Sequence, residues 1–308
     1  MSVGAGADRM KVLLSITPHP SAAFAAAVNA FAPEIEVLAY SPDLSDAQLA
    51  GVEVVLAWNL APGVAARMPK LRWVCSVAAG VEKLLVPDLA PGVPVSRMVD
   101  PEQGQGIAQF VVTMALRHAR ELPLYEAQQR RREWRRHPVA ALRSTVAVLG
   151  MGAMGSEVAR LLEAVGFNVR GWSRSRGGPL EALLPEAQIV VCALPLTPAT
   201  EGLLDARSFA LMPRGAYLIN IARGGHVVEP DLIAAVRSGH LAGAALDVQC
   251  NEPMPADDPL WGVDGITITP HIAAQSAMET IARQFVAGYR CLQRGEALPN
   301  LVDRARGY

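Results

Sequence analysis

Residues 145–175 read TVAVLGMGAMGSEVARLLEAVGFNVRGWSRS, and no other stretch of the 308-residue chain constrains the fold as tightly. It opens with the apolar run Thr145–Leu149, which has the pattern of a buried strand, and passes straight into Gly150-Met151-Gly152-Ala153-Met154-Gly155. An amphipathic helical pattern follows, Gly166 stands where that helix should end, and Val169–Trp172 reads as a second strand. In a strand–turn–helix setting, GxGxxG spacing has a physical meaning. Gly150 permits the tight turn, Gly152 lets backbone approach a pyrophosphate, and Gly155 lets the helix pack close to the strand. Free N–H groups and the helix dipole then favour an anion at the helix start without any lysine. The stretch predicts a βαβ unit that binds a dinucleotide.

The end of the second strand bears on which dinucleotide. A site for NADH usually carries Asp or Glu there, accepting hydrogen bonds from the ribose hydroxyls. This chain has Ser173, followed by Arg174, Ser175 and Arg176. Guanidinium groups make charge-assisted bonds to a 2′-phosphate that a carboxylate would repel. NADPH is therefore the expected cofactor, with NADH second.

Working outward, short apolar runs recur at 11–16, 52–58 and 71–77, then at 145–149, 169–172, 189–193, 216–221, 244–248 and 265–269. Runs of this length alternating with helical patterns predict buried parallel strands in βα units. The fold class expected is α/β: two Rossmann-like, doubly wound parallel-sheet lobes with a cleft between them. Residues 276–298 read as one helix long enough to return the chain to the first lobe. This gives a discontinuous flavodoxin-like substrate domain of 1–99 plus 284–308. A dinucleotide-binding domain of 100–283 would include a linking helix within 101–138.

Composition narrows the class further. Half the residues are apolar (51%), 19% are charged and the formal net charge is −1. This is globular material with no whole-molecule attraction for nucleic acid or an anionic membrane. The basic run RRREWRRHP at 130–138 is read as a solvated or subunit-contacting face, not a DNA site. Cys75, Cys192, Cys250 and Cys291 form no CxxC pair and no cluster with histidines, so buried reduced thiols and no metal are expected. Neither a signal peptide nor a membrane span is read in the chain, which points to the cytoplasm.

Three further segments stand at predicted strand ends, where α/β folds place ligands: INIARGGHVVE (219–229), LDVQCNEPMP (246–255) and ITPHIAA (268–274). Each supplies one polar candidate, respectively Arg223, Glu252 and His271. Together they suit an anionic α-keto acid and proton delivery to its carbonyl oxygen. Taken singly, each has a plainer reading: a surface ion-pair member, a solvated charge and a satisfied core histidine.

With these segments the chain closely resembles the D-isomer-specific 2-hydroxyacid dehydrogenase family over nearly its whole length. The carriers are VAAGV at 77–81, the glycine loop, WSRSR at 172–176, LPLTPAT at 194–200, IARG, LDV, Glu252-Pro253, TPHIAA and the closing VDRARGY at 302–308. The resemblance implies reduction of small 2-keto acids such as glyoxylate and hydroxypyruvate, with His271 as general acid. Glu252 would fix the histidine tautomer and favour the imidazolium, while Arg223 would orient and polarise the substrate. It further implies a carboxylate cradle at the Ala79 and Gly80 amides, and pocket-shaping by Trp58 and Trp134, for which core or subunit packing is equally open. Leu194, Pro195, Thr197, Thr200, Ile221 and Ala222 would pass the cofactor. Asp247 would lie near the nicotinamide carboxamide, with strand-end hydrogen bonding as its other reading. Gln109 departs from the family's usual glutamate in the linking helix. A homodimer is implied. The other readings are a larger keto acid, or a cofactor-sensing corepressor-like interaction protein on the same fold.

Overall fold

Parallel strands buried on both faces need apolar side chains at successive positions, and the first sheet is built that way. In the computed structural model, which describes residues 10–17, 20–138, 144–173 and 178–304, the chain divides into two compact units. One is drawn from Met1–Asp100 and Ser276–Tyr308, the other from Pro101–Gln275.

In the first unit β1 (Lys11–Ser15), β2 (Glu36–Ala39), β3 (Val52–Ala57), β4 (Trp73–Ser76) and β5 (Val95–Ser96) form a parallel sheet in the order β2-β1-β3-β4-β5. Alternate residues serve opposite faces. Val12, Leu14, Val54, Leu56 and Trp73 pack with the helices Ser21–Phe31 and Met278–Arg294. Leu13, Val55, Ala57 and Val74 pack on the other side with Leu49, Val64 and Leu84. The chain returns to this unit at Ser276 rather than at residue 284. The reason is packing: Ile281 and Ala282 are already in this core, Trp73 stacks on Phe285 with centroids 5.4 Å apart, and a Cβ on Gly288 would stand 2.6 Å from the Trp73 ring.

The second unit carries β6 (Thr145–Leu149), β7 (Asn168–Trp172), β8 (Ile189–Cys192), β9 (Ala216–Asn220), β10 (Leu241–Leu246) and β11 (Ile266–Ile268). Their order, β11-β10-β9-β8-β6-β7, is parallel throughout and reverses direction between β6 and β8. Ligands of open α/β sheets sit outside the carboxyl ends of strands at such a switch point. The helix Pro101–Ala119 buries Gly104, Ala108, Val111 and Ala115 along one stripe, small residues that suit close approach to the helix Ala153–Ala164.

Three details differ from the sequence reading. The edge strand β2 and the two-residue β5 were not expected, because one is partly exposed and the other too short to show a period. The region expected as one linking helix is two, Pro101–Ala119 and Leu122–Arg131, followed by a non-helical stretch to Pro138. Glu121 takes a left-handed conformation (φ 52°) and Pro123, without an N–H, sits in the first turn of the second helix, which ends the first one.

Candidate active site

Two of the glycines in the loop after β6 are demanded by the protein's own packing, and the third is not. Gly150 has φ +104°, and a Cβ there would lie 2.5 Å from the Ala193 carbonyl oxygen beyond β8. A Cβ on Gly155 would lie 1.7 Å from the Gly150 oxygen. At Gly152 the backbone is extended (φ −79°, ψ −166°) and a Cβ would meet nothing within 4 Å. A residue with no conformational or packing need to be glycine, at the N-cap of a helix with no side-chain cap, fits close approach by an outside phosphate group. Gly171, which the sequence reading passed over, makes room for Met151, whose sulfur would stand 2.6 Å from a Cβ there.

The other expected cofactor positions divide. Ser173, the residue after β7, is half-buried, while Arg174, Ser175 and Arg176 lie outside the described residues. Ala153 is exposed beside the loop, and Met154 turns its sulfur toward Gly104. Leu194 and Ala222 are buried in the core, Ile221 is half-buried against it, and Pro195 is exposed. Thr200 is buried within its own loop. Its buried hydroxyl donates to the Pro195 carbonyl (2.8 Å) and accepts from the Thr197 amide (2.9 Å), which closes the 195–200 loop.

The structure brings His271 and Glu252 together: Nδ1 lies 3.0 Å from Oε2, with the side chains 29% and 23% exposed. Nδ1 therefore carries the proton and Nε2 is the nitrogen turned away from the carboxylate. Glu252 Oε1 accepts from the Gln249 amide at 3.1 Å. His271 itself has φ 55°, a left-handed conformation that costs a non-glycine residue about 1–3 kcal/mol.

Asp247 holds that conformation. Only 1% exposed, its carboxylate accepts from Thr269 Oγ1 (2.7 Å) and Ile272 N (2.8 Å) on one oxygen and from Ala273 N (2.9 Å) on the other. Its carbonyl accepts from the His271 amide at 2.9 Å. The strand-end role fits this residue.

Arg223 follows β9 in a segment braced from beneath. Buried Asn220 donates from Nδ2 to the Arg223 carbonyl (2.9 Å) and accepts from the Ala222 amide (3.1 Å), and its own carbonyl accepts from the Asp247 amide at 3.0 Å. His226 Nδ1 stands 3.0 Å from the same Arg223 carbonyl. A Cβ on Gly224 would lie 2.0 Å from the Gln249 carbonyl carbon, so only glycine lets this segment rest on the Gln249–Cys250 peptide. Asn220 and Gln249 were missed in sequence, where nothing local marks them, and Gly224 entered only as the last residue of IARG, without a role.

Trp58, Ala79 and Gly80 belong to the first unit. Trp58 follows β3 with the Lys83 ammonium 5.6 Å from its ring centroid. The Ser76 hydroxyl donates to the Gly80 carbonyl (2.9 Å) and accepts from the Ala78 amide (3.0 Å), folding residues 76–80 into a tight turn whose Ala79 and Gly80 amides are outside both bonds. Trp134, in the second unit, is 96% exposed, which excludes core packing for it within one chain.

Cys75 and Cys192 are buried, and burial pushes both thiols up to about 12. Cys250 and Cys291 are not buried, a correction; Cys250 is exposed, yet desolvation, then the carboxylates of Glu229 and Asp258, push its thiol up to about 12 as well. No thiolate nucleophile arises from these three. Among the described residues, no group of three or more His, Cys, Asp or Glu is placed to hold a metal ion, and no helix is long and apolar enough to cross a membrane.

A glycine turn at the switch point of a parallel sheet, with a carboxylate-backed histidine beyond the carboxyl end of another strand of the same sheet, defines a dinucleotide-dependent oxidoreductase. Residues 112–273 match the family model described as D-isomer specific 2-hydroxyacid dehydrogenase, NAD binding domain. The glyoxylate/hydroxypyruvate reductase A of Serratia proteamaculans is 38% identical over 228 residues, spanning 70% of this chain and 73% of that one. A D-isomer specific 2-hydroxyacid dehydrogenase from Xanthobacter autotrophicus, solved with NADPH and MES, is 38% identical with a TM-score of 0.86, covering 98% of this chain and 100% of that one. An NADPH-dependent glyoxylate/hydroxypyruvate reductase from Sinorhizobium meliloti, solved with NADP and sulfate, is 32% identical with a TM-score of 0.89, covering 97% and 100%. The chain belongs to the D-isomer-specific 2-hydroxyacid dehydrogenase family.

Proposed function

We propose that this enzyme reduces small 2-keto acids, glyoxylate and hydroxypyruvate foremost, to 2-hydroxy acids with NADPH, His271 acting as general acid. When bound, the nicotinamide supplies the hydride that the carbonyl carbon receives. The chain's own residues supply the rest. His271, protonated on both nitrogens, donates from Nε2 to the carbonyl oxygen as charge develops there, and Glu252 stabilises the imidazolium through Nδ1. The Arg223 guanidinium binds the substrate carboxylate and polarises the carbonyl in a planar geometry that lysine would not reproduce. Backbone amides at the start of the helix Ala153–Ala164 receive the pyrophosphate.

The observation that carries this reading is the His271–Glu252 pair at 3.0 Å on a partly exposed ring. Support for NADPH comes from Ser173 in place of a carboxylate and from the NADPH and NADP bound to the Xanthobacter and Sinorhizobium proteins. We place the enzyme in the cytoplasm as a homodimer, the latter checked by sedimentation.

A steady-state panel of glyoxylate, hydroxypyruvate, pyruvate and bulkier keto acids, run with NADPH and NADH in parallel, tests the assignment. Glyoxylate and hydroxypyruvate with NADPH should give the highest kcat/KM. His271→Gln should lower kcat by about 10²- to 10⁴-fold with NADPH binding retained. No NADPH oxidation across the panel, together with cofactor-dependent binding of a protein partner, would replace the enzyme with the corepressor-like reading.

A further inference from the structure

Gln249 bonds to Glu252 itself and touches the segments that carry Arg223 and His271. Its backbone amide donates to Glu252 Oε1 at 3.1 Å, leaving Oε2 for His271. Its side-chain amide, on a residue 6% exposed, donates to the Leu246 carbonyl (3.0 Å) and reaches the Thr269 carbonyl (3.4 Å), two residues before His271. Its carbonyl carbon is the atom against which Gly224 rests, next to Arg223. The Leu246 and Thr269 carbonyls already accept from the Thr269 and His271 amides. The side chain is therefore not needed to satisfy an orphaned acceptor. What it adds is a brace between the loop after β10 and the loop after β11.

We propose that Gln249 is a positioning residue, acting through Glu252 to hold the His271 ring in one tautomer and one orientation. This rests on the function proposed above for His271 and Glu252. Glu252 sits three residues beyond the brace and His271 sits on the far side of it, so loosening the brace lengthens the contact between them while leaving the Arg223 guanidinium in place. The expected signature is loss of kcat with KM for the keto acid little changed, because Arg223 carries ground-state binding and His271 acts in the transition state.

The test uses Gln249→Met, which keeps the length of the side chain and removes the donor. Gln249→Glu, isosteric but unable to donate when ionised, serves as a second variant should the first fail to fold. Each should lower kcat for glyoxylate about tenfold, the scale of one hydrogen bond, with KM moving less than about threefold. In a Glu252→Gln background the same change should cost less than about twofold, because the partner through which it acts has been neutralised. A readout independent of turnover is the ¹⁵N spectrum of the His271 imidazole, assigned by its loss in His271→Gln and recorded without substrate. The unaltered protein should show one fixed tautomer with Nδ1 protonated, and the Gln249 variants two nitrogens drawn toward an averaged shift. A ring spectrum unchanged by the substitutions, or a kcat loss that adds fully to that of Glu252→Gln, overturns the proposal. If the unaltered protein reduces no keto acid while the ring responds as described, the functional reading fails and the positioning role stands.

Discussion

The two ends of the second sheet each carry a histidine, and the surroundings of the two are opposite. At the amino end, His118 from the helix Pro101–Ala119 lies flat on Tyr217, with centroids 4.5 Å apart and ring planes 13° from parallel. Burial there pushes its imidazole down to about 4, so it packs as a neutral aromatic ring. At the carboxyl end, His271 is partly exposed, backed by Glu252 at 3.0 Å and held in a left-handed conformation by Asp247. One ring is stripped of its charge by its surroundings. The other keeps part of its ring exposed and one nitrogen 3.0 Å from a carboxylate oxygen. The same side chain is a stacked, uncharged ring in one place and a partly exposed ring against a carboxylate in the other, a difference set by what packs around it and not by the residue type.

Within the carboxyl end itself, the glycine loop and the His271 loop are held differently, and substitution separates the two. The largest effect is expected in the glycine loop. Gly155→Ala puts a methyl 1.7 Å from the Gly150 oxygen, so both fold stability and NADPH affinity should fall, the melting temperature by several degrees. Gly152→Ala puts its methyl where no atom lies within 4 Å, so the melting temperature should hold while NADPH affinity drops about 100-fold, measured by titration calorimetry. Equal melting-temperature losses for both would erase the distinction between a glycine required by packing and one required by a ligand.

Asp247→Asn should come next. Each carboxylate oxygen accepts from the His271 loop, and an amide nitrogen at either place meets a donor. A cost of about 1–3 kcal/mol is expected in denaturant unfolding, with kcat down about tenfold from the loosened His271. Unchanged kcat would show that the loop holds its shape without this anchor.

The smallest effect concerns His118. Its folded value of about 4 lies below the ordinary 6.5, so the unfolded chain takes up the proton first, and stability is lost as pH falls from about 6.5 toward 4. His118→Phe keeps the stack on Tyr217 and removes that loss. Its melting temperature should match that of the unaltered protein near pH 7.5 and exceed it at pH 5, by a margin on the order of 1–2 kcal/mol in stability. Identical pH profiles would mean that His118 finds a way to charge inside the fold.

Much of this was legible in the sequence, for reasons particular to the residues involved. Thr145–Leu149, Gly150–Gly155 and Gly166 form a local pattern in which each residue's role depends on neighbours a few positions away, and the helix does end at Ala164 with Gly166 at φ 97°. Arg223, Glu252 and His271 were legible as candidates because each is a polar residue in a segment that leaves the carboxyl end of a strand. The break at Glu121 carried a signal in Pro123 that the helical periodicity around it outweighed. The strands β2 and β5 were too exposed or too short for a period to show. Thr200 reads alike whether its hydroxyl faces outward or, as here, closes its own loop.

By itself the sequence determined the parallel α/β sheets, the dinucleotide turn and the identity of the three polar candidates, because periodicity and glycine spacing express backbone sterics over short stretches. Only the tertiary structure decided that His271 stands 3.0 Å from Glu252, that Asp247 pins its loop, and that Gln249 and Gly224 bring the three segments together. Those contacts join residues from the ends of different strands. Their distances are set by sheet order and loop packing, which no local pattern records.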